Sequence, residues 1–262
     1  MISTIEKEDL EQFNIFVIGA IFGSFMNVLI YRLPLGISLF NPKRSVCPNC
    51  KIQIKWYENL PIVSYIFLKG KCSNCKKKIS IQYPLIEFFT ALITLIIFNQ
   101  FGFSLDTVFV ILISYTLIVL SMIDYKYKAV PDYLLILILI FAFFLSMFSF
   151  TNALIFAGAF TLLELFVTFY IQNIKAKITK DPSLEDQRAM GEGDIPVAAL
   201  IGGILGIKLG IMAIVFGALF AIIHSIFNII VKKEIETPFI PYLTLGFFVV
   251  LFFDQYLIGF FS

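Results

Sequence analysis

Residues 105–123, LDTVFVILISYTLIVLSMI, run straight into Asp124, Tyr125 and Lys126. A helix needs about 20 mostly apolar residues to cross the hydrocarbon core of a bilayer, and this run reaches that length before an acid ends it. Comparable runs occur at 12–33, 83–101, 132–150, 153–174, 194–206, 209–231 and 240–261. Together they predict an all-α polytopic membrane protein of about eight transmembrane helices. Composition points the same way. Of 262 residues 59% are hydrophobic and only 15% charged, Phe occurs 31 times, and the mean hydropathy is +0.92. A soluble chain sits near 45–50% apolar and about 25% charged. A cytosolic enzyme, a disordered chain and a disulfide-rich secreted domain are excluded, and no nucleic-acid partner is expected. The first run follows an acidic stretch, Glu6 to Glu11, without a cleavage-site pattern behind it, and reads as a retained helix.

Lys and Arg orient the spans, because cytoplasmic loops collect them. Segment 34–82 holds Lys43, Arg44, Lys51, Lys55, Lys69, Lys71, Lys76, Lys77 and Lys78. Lys126 and Lys128 follow the third span, Lys175, Lys177, Lys180 and Arg188 the fifth, and Lys232 and Lys233 the seventh. With eight spans and both termini outside, these and Arg32 put 18 of the 20 basic residues on one face, leaving Lys7 and Lys208. Removing the short, Gly-rich sixth segment would put Lys232 and Lys233 on the wrong face, which argues for keeping it.

The insert 34–82 contains all four cysteines, as Cys47-Pro48-Asn49-Cys50 and Cys72-Ser73-Asn74-Cys75. Two C-x-x-C knuckles at this separation have the spacing of a four-thiolate zinc ribbon: each turn presents two thiolates and the pair completes a tetrahedron. On the cytoplasmic face disulfides are disfavoured, and a site with four protein ligands is structural rather than catalytic. Lys76, Lys77 and Lys78 suit anionic lipid head groups.

Ionisable residues in or beside spans are functional candidates by default. Asp124 ends the third span, and Asp194 opens the sixth in Met190-Gly191-Glu192-Gly193-Asp194. Gly191 and Gly193 leave the backbone bare beside Asp194, which suits an extended peptide or a tight turn into the helix; Pro196 fits a first helical turn. Two readings stand. Asp194 is a helix cap and Asp124 a border charge, or the two share a proton and activate a water. Helix direction would then make Asp124, at a C-terminus, the protonated partner and Asp194, at an N-terminus, the ionised one. Asp132 reads as a helix cap behind Pro131. Glu87, in the first turns of the second span, suits a substrate or structural hydrogen bond. Glu164 and His224, near the middles of their spans, read as a buried hydrogen-bonded pair, with a proton path as the alternative.

The chain resembles the prepilin peptidases, membrane aspartyl proteases of the GxGD type. The resemblance rests on Gly23-Ser24-Phe25-Met26-Asn27-Val28 with Tyr31-Arg32-Leu33-Pro34, the paired knuckles, and Trp56-Tyr57-Glu58-Asn59-Leu60-Pro61 between them. It continues through Tyr83-Pro84-Leu85-Ile86-Glu87, Ile123-Asp124, Pro131-Asp132, Gly191-Glu192-Gly193-Asp194, and Pro238-Phe239 with Pro241-Tyr242. It implies Asp124 and Asp194 as catalytic aspartates, with Gly191, Gly193, Glu87 and Asp132 in support, and Cys47, Cys50, Cys72 and Cys75 as zinc ligands. The activity it implies is removal of a basic leader from prepilins or pseudopilins after a Gly, on the cytoplasmic side of a bacterial inner membrane. N-methylation of the new terminus with S-adenosylmethionine follows in many members; Glu58 and Asn27 are the candidates toward that donor, and no Gly-rich nucleotide fingerprint is present. The implied division is a first transmembrane helix 1–33, a cytoplasmic zinc-binding domain 34–82 and a transmembrane peptidase domain 83–262. One departure is Pro196, where members often carry Lys two residues after the aspartate. The competing readings are a proton-coupled transporter using Glu164 and His224, or a membrane adaptor presenting the zinc ribbon.

Overall fold

The computed structural model describes residues 2–39, 45–180, 182–186, 188, 190–231 and 237–258. Lys43, Arg44, Lys232 and Lys233, used above for orientation, lie outside the described residues, as does the end of the last predicted span. The helices are α1 (Ile2–Arg32), α2 (Val63–Phe67), α3 (Gln82–Phe101), α4 (Leu105–Tyr127), α5 (Asp132–Phe143), α6 (Phe150–Phe169), α7 (Ala176–Thr179), α8 (Asp194–Val231) and α9 (Ile240–Ile258). Among the described residues six helical stretches are long and apolar enough to cross a membrane, and α5 is a shorter apolar helix. The chain divides within α4 into two compact units, Met1–Val119 and Leu120–Ser262. The sequence reading had grouped α3 with the C-terminal part.

In the first unit α1 packs along α3. Gly19 and Gly23, spaced i, i+4, form the small-residue seam that lets membrane helices close up. A Cβ on Gly19 would lie 2.7 Å from the Ala91 Cα, and one on Gly23 2.7 Å from the Glu87 Cα. The Thr94 and Tyr115 hydroxyls hydrogen-bond at 2.7 Å, tying α3 to α4. The insert adds little regular structure: a 3-10 turn at Trp56–Asn59, the single turn α2, and two isolated bridges, Val46 with Gln53 and Lys71 with Lys78.

The second unit is built around the first arm of α8. Val197, Ala198, Leu200 and Ile201 are fully buried. At Gly206 (φ 75°, ψ −177°) the backbone leaves the helix, and a Cβ on Gly210 would lie 3.3 Å from the Cα of Gly202. Residues eight apart on a straight helix are about 12 Å apart, so the chain reverses here and the two arms lie side by side. The Phe156 ring of α6 packs against Gly202 and Gly210, and Phe148 against Gly203. Small residues thus make the sixth segment short and Gly-rich because other helices close over it. The second arm packs on α9, with Gly217 against Tyr242 and Leu243, while Ile223 and Phe227 face outward, as lipid contact requires.

The fourth predicted span ends early. α5 stops at Phe143, and Ser149 caps α6 by accepting the N–H of Asn152. Asp132 is exposed in the first turn of α5; the cap position belongs to Pro131, which offers no side-chain bond, so the expected Asp132 cap is corrected. α6 runs on through a π-helical stretch, Tyr170–Lys175, into α7.

Gly206→Ala should lower the melting free energy by about 1–3 kcal/mol, because its backbone region is essentially glycine-only. Gly158→Ala is the matched comparison: its Cβ would meet nothing within 4 Å, so it should be neutral or stabilise by up to about 1 kcal/mol. Thermal unfolding of the detergent-solubilised variants measures both, and equal behaviour would contradict the reversal.

Candidate functional site

Asp124 lies in the last turn of α4, half-buried, and its backbone carbonyl accepts the N–H of Lys128, which turns left-handed (φ 54°) to end the helix. Its carboxylate looks elsewhere. Oδ2 accepts the N–H of Ile240 at 3.2 Å, and the N–H of Phe239 also bears on it. These are the groups at the start of α9, where a helix has N–H groups to spare. One turn earlier Ser121 donates to the Thr244 hydroxyl at 2.8 Å, so α4 and α9 are pinned by two polar contacts.

Asp194 is 4% exposed. Its Oδ2 accepts the N–H of Gly191 at 2.9 Å, and its own N–H donates to the Gly191 carbonyl at 3.1 Å. The acid therefore closes the turn before α8 rather than capping forward into it. The charges of Asp124 and Glu164 both act on it. One is held by the turn before α8 and the other by the start of α9.

Gly193 was expected to leave room beside Asp194. The space is taken: a Cβ there would lie 2.6 Å from Val130 Cγ2 and 2.9 Å from Ile240 Cδ1. The glycine lets the turn before Asp194 press against the residue whose N–H holds Asp124. Gly191 is roomier, with the nearest atom, Asp194 Oδ2, 3.4 Å from a Cβ. Glu192 pairs with Arg188 at the exposed surface.

The expected pairing of Glu164 with His224 is corrected. Among the described residues His224 Nδ1 meets the Asn228 amide at 3.3 Å, one helical turn away, and its ring packs near those of Tyr125 and Tyr242. Nothing in the sequence reading picked out Asn228, Tyr125 or the N–H groups of Phe239 and Ile240; the Pro238-Phe239 and Pro241-Tyr242 pattern was the available signal for the last.

In the first unit the four cysteines are free thiols whose Sγ atoms all lie within 4.8 Å of one another. Cys47 and Cys75 Sγ are 3.9 Å apart. A tetrahedral zinc with bonds of about 2.3 Å separates its thiolates by about 3.8 Å, so the cluster fits a metal ion. Both knuckles have the same backbone: Cys47 N–H donates to Ile52 O and Lys51 N–H to Cys47 O, while Cys72 N–H donates to Lys77 O and Lys76 N–H to Cys72 O. Lys51 and Lys76 are both left-handed (φ 57° and 58°). Asn49 joins the knuckles, donating to Cys75 Sγ at 3.5 Å and accepting from Lys77 Nζ at 2.6 Å. The Lys77 backbone N–H and then the Asn49 amide pull the Cys75 thiol down to about 6, and the Ile52 N–H lowers Cys50. Both favour the thiolate, the form that binds metal.

Glu87 is buried, and its Oε2 accepts the N–H of Ile62 at 2.7 Å. Ile62 sits at φ 61°, ψ −50°, with the Val63 N–H donating to Pro61 O: a strained γ-turn. Ser24 also hydrogen-bonds the Glu87 carboxylate. Asn27, 5% exposed, donates from Nδ2 to the Gly23 and Tyr83 carbonyls, each at 3.2 Å. Glu58, half-buried in the 3-10 turn, reaches the N–H of Lys55 at 3.4 Å.

A family model described as the bacterial peptidase A24 N-terminal domain matches residues 17–101, and one described as the type IV leader peptidase family matches residues 111–226. The chain is 32% identical over 251 positions to a prepilin leader peptidase/N-methyltransferase of Vibrio cholerae, covering 90% of this chain and 94% of that relative. It is 30% identical to one of Bacillus subtilis (94% and 96% covered) and 29% identical to one of Pseudomonas aeruginosa (91% and 89%). No solved structure matches it. Two aspartates in one unit and a four-cysteine cluster in the other thus sit in a chain matched over nine-tenths or more of its length, and the chain belongs to the type IV leader peptidase family.

Proposed function

We propose that the protein is a membrane-embedded aspartyl endopeptidase that removes the leader from prepilins or pseudopilins after a Gly and then N-methylates the new terminus. One observation supports this most: Asp124 and Asp194, far apart in sequence, are each fixed by backbone N–H groups, and Ile240, whose N–H holds Asp124, lies against Gly193 beside Asp194. A carboxylate has about four lone-pair positions, so capacity remains for a water and a shared proton. One carboxylate, ionised, takes a proton from water as its oxygen attacks the scissile carbonyl carbon. The other, protonated, hydrogen-bonds the carbonyl oxygen and helps transfer a proton to the departing amine. The pair titrates as a unit. Transport would want a relay between Glu164 and His224, which do not pair; an adaptor would have no use for two acids held this way.

Eight spans, with the arms of α8 counted separately and α5 included, place both termini outside and the aspartates at the cytoplasmic face of a bacterial inner membrane. The insert 34–82 is then cytoplasmic, between a first membrane helix 1–33 and a membrane peptidase part 83–262. The four thiolates hold a structural zinc. S-adenosylmethionine, when bound, supplies the methyl group; Asn27 and Glu58 are the residues of this chain directed at it.

Asp124→Asn and Asp194→Asn should each lower prepilin cleavage by at least about 10²–10⁴-fold, read as loss of the mobility shift on a gel, with membrane insertion intact. Asp132→Asn should cleave normally; an inactive Asp132→Asn beside an active Asp124→Asn would move the first catalytic position.

Gly193→Ala should cost about 1–3 kcal/mol of stability through overpacking. It should also slow cleavage under conditions where the variant remains folded, because its Cβ drives into Ile240, which carries Asp124. Unfolding and single-turnover cleavage measured together test this, and a destabilised but fully active variant would break the link.

Freshly purified, reduced protein should contain about one zinc per chain, and joint replacement of Cys47 and Cys50 by Ser should release it while leaving part of the cleavage activity. Metal analysis decides, and zinc-free active protein would refute the assignment.

A further inference from the structure

Residues 56–68 of the insert, WYENLPIVSYIFL, lie between Lys55 and Lys69, with Glu58 as the one charged side chain among them. In water such a run should turn its apolar residues inward. It does not: Trp56 is 72% exposed and Phe67 82%, and Leu60, Val63 and Ile66 are exposed as well. The turn Trp56–Asn59 and α2 pack on one another. Glu58, Asn59, Ser64, Tyr65 and Leu68 line a cavity inside the unit, whereas Val63, Ile66 and Phe67, spaced i, i+3 and i+4, make the opposite face of α2. We propose that this outer face is seated in the bilayer: Trp56, Val63, Ile66 and Phe67 enter the leaflet on the insert's side, and Lys55 and Lys69 reach its phosphates.

Glu87 fixes the depth. Its Oε2 holds the Ile62 N–H at 2.7 Å, so α2 begins beside it. Glu87 lies five residues into α3 (Gln82–Phe101), about 8 Å along the axis. α3 has only 20 residues, about 30 Å of helix, which is what the hydrocarbon core alone requires. It cannot stand well clear of the lipid and still cross. α1 gives the same level from its own side. A Cβ on Gly23 would lie 2.7 Å from the Glu87 Cα, and nine further residues of α1, about 14 Å, follow before it ends at Arg32. Ile62 therefore sits below the ends of two membrane helices. α2, a single turn of five residues, reaches only about 8 Å from it. At that level the surroundings are lipid rather than water.

The chemistry of the run suits that place. Trp and Tyr collect where bilayer meets water, because each has an apolar body and a polar tip. Lys carries its charge on a long apolar stem, so it can lie along hydrocarbon and still reach a phosphate. Lys55 does this locally: its stem crosses the exposed Tyr57, with Nζ 5.6 Å from the ring centroid. Glu58, which a phosphate surface would repel, is turned to the cavity. The stretch 56–68 is thus an interfacial segment within an insert that is otherwise outside the membrane. The inference rests on the membrane reading of α1 and α3 and is independent of either catalytic activity.

Trp56 is the only tryptophan of the chain, so the unaltered protein carries its own probe. The full chain is placed in lipid nanodiscs with or without phospholipids brominated near the top of the acyl chains. Interfacial side chains sit about 5–10 Å into the boundary between head groups and acyl chains, so bromine there should quench the emission at least about twofold. Bromine at the chain ends should quench less, and aqueous iodide should have little effect. Trp56→Phe combined with Phe67→Trp moves the probe to α2 and should give the same pattern; the unaltered protein decides the matter even if this variant fails to fold. Emission open to iodide and untouched by bromine, from either position, overturns the proposal. Shielding from both quenchers also overturns it, because the face then lies against protein, and a dependence on the number of copies per nanodisc would make that protein a second chain. Shielding that arises only when a prepilin is added overturns it in favour of a substrate surface.

Discussion

A carboxylate at the edge of hydrocarbon must be given hydrogen-bond donors, and an α-helix has spare ones only in its first turn. The second unit meets this need in two ways. Asp194 folds back onto the Gly191 N–H in the turn before α8, and Asp124 reaches across to the Ile240 N–H where α9 begins. The geometry of the pair is therefore decided by one turn and one helix start. Much else in the unit serves that placement. Gly193 lets the first turn of α8 approach Ile240, Ser121 and Thr244 fix α4 on α9, and the reversal at Gly206 keeps the first arm of α8 short enough to be enclosed. A longer, bulkier segment could not be surrounded by α5, α6 and α9 and still present its N-terminus to them.

The first unit uses the same device with a different acid. Glu87 holds the Ile62 N–H and so fixes a turn that the chain would not adopt unaided. Lys51, Ile62, Lys69 and Lys76 all have positive φ without being glycine. Such residues cost of order 1–3 kcal/mol each and persist only where their surroundings over-determine them. Between residues 45 and 81 there is little apolar core to do so, and the four-cysteine cluster is placed where a bound metal would add that constraint, since metal binding free energy becomes folding free energy in small sites.

What could be read from the sequence was local or statistical. Apolar runs, the sorting of Lys and Arg, and the two knuckles each depend on residues near one another along the chain, and they gave the all-helical membrane fold and the four-cysteine cluster. What could not be read depends on backbone groups that carry no residue signature. The N–H groups facing Asp124 lie more than a hundred residues away, and any residue but proline could supply them. The reading of roles by helix direction considered only the helix that carries each acid, and not these groups. The pairing of Glu164 with His224 failed because Asn228, one turn along the same helix, is a nearer partner. Gly193 was read as suiting either an extended peptide or a tight turn into the helix, and the structure has the turn, with the bare backbone serving the protein's own packing.

Two sites in two units also follow from the chemistry proposed for them. Hydrolysis by a carboxylate pair leaves a new amine beside negative charge, which holds it as ammonium. An ammonium has no lone pair and cannot accept a methyl group. Methyl transfer requires the neutral amine, and nearby positive charge favours that form. The conditions that suit the first reaction thus oppose the second. A single site could perform both only by reversing its own electrostatics between steps, whereas two sites can meet the two requirements separately.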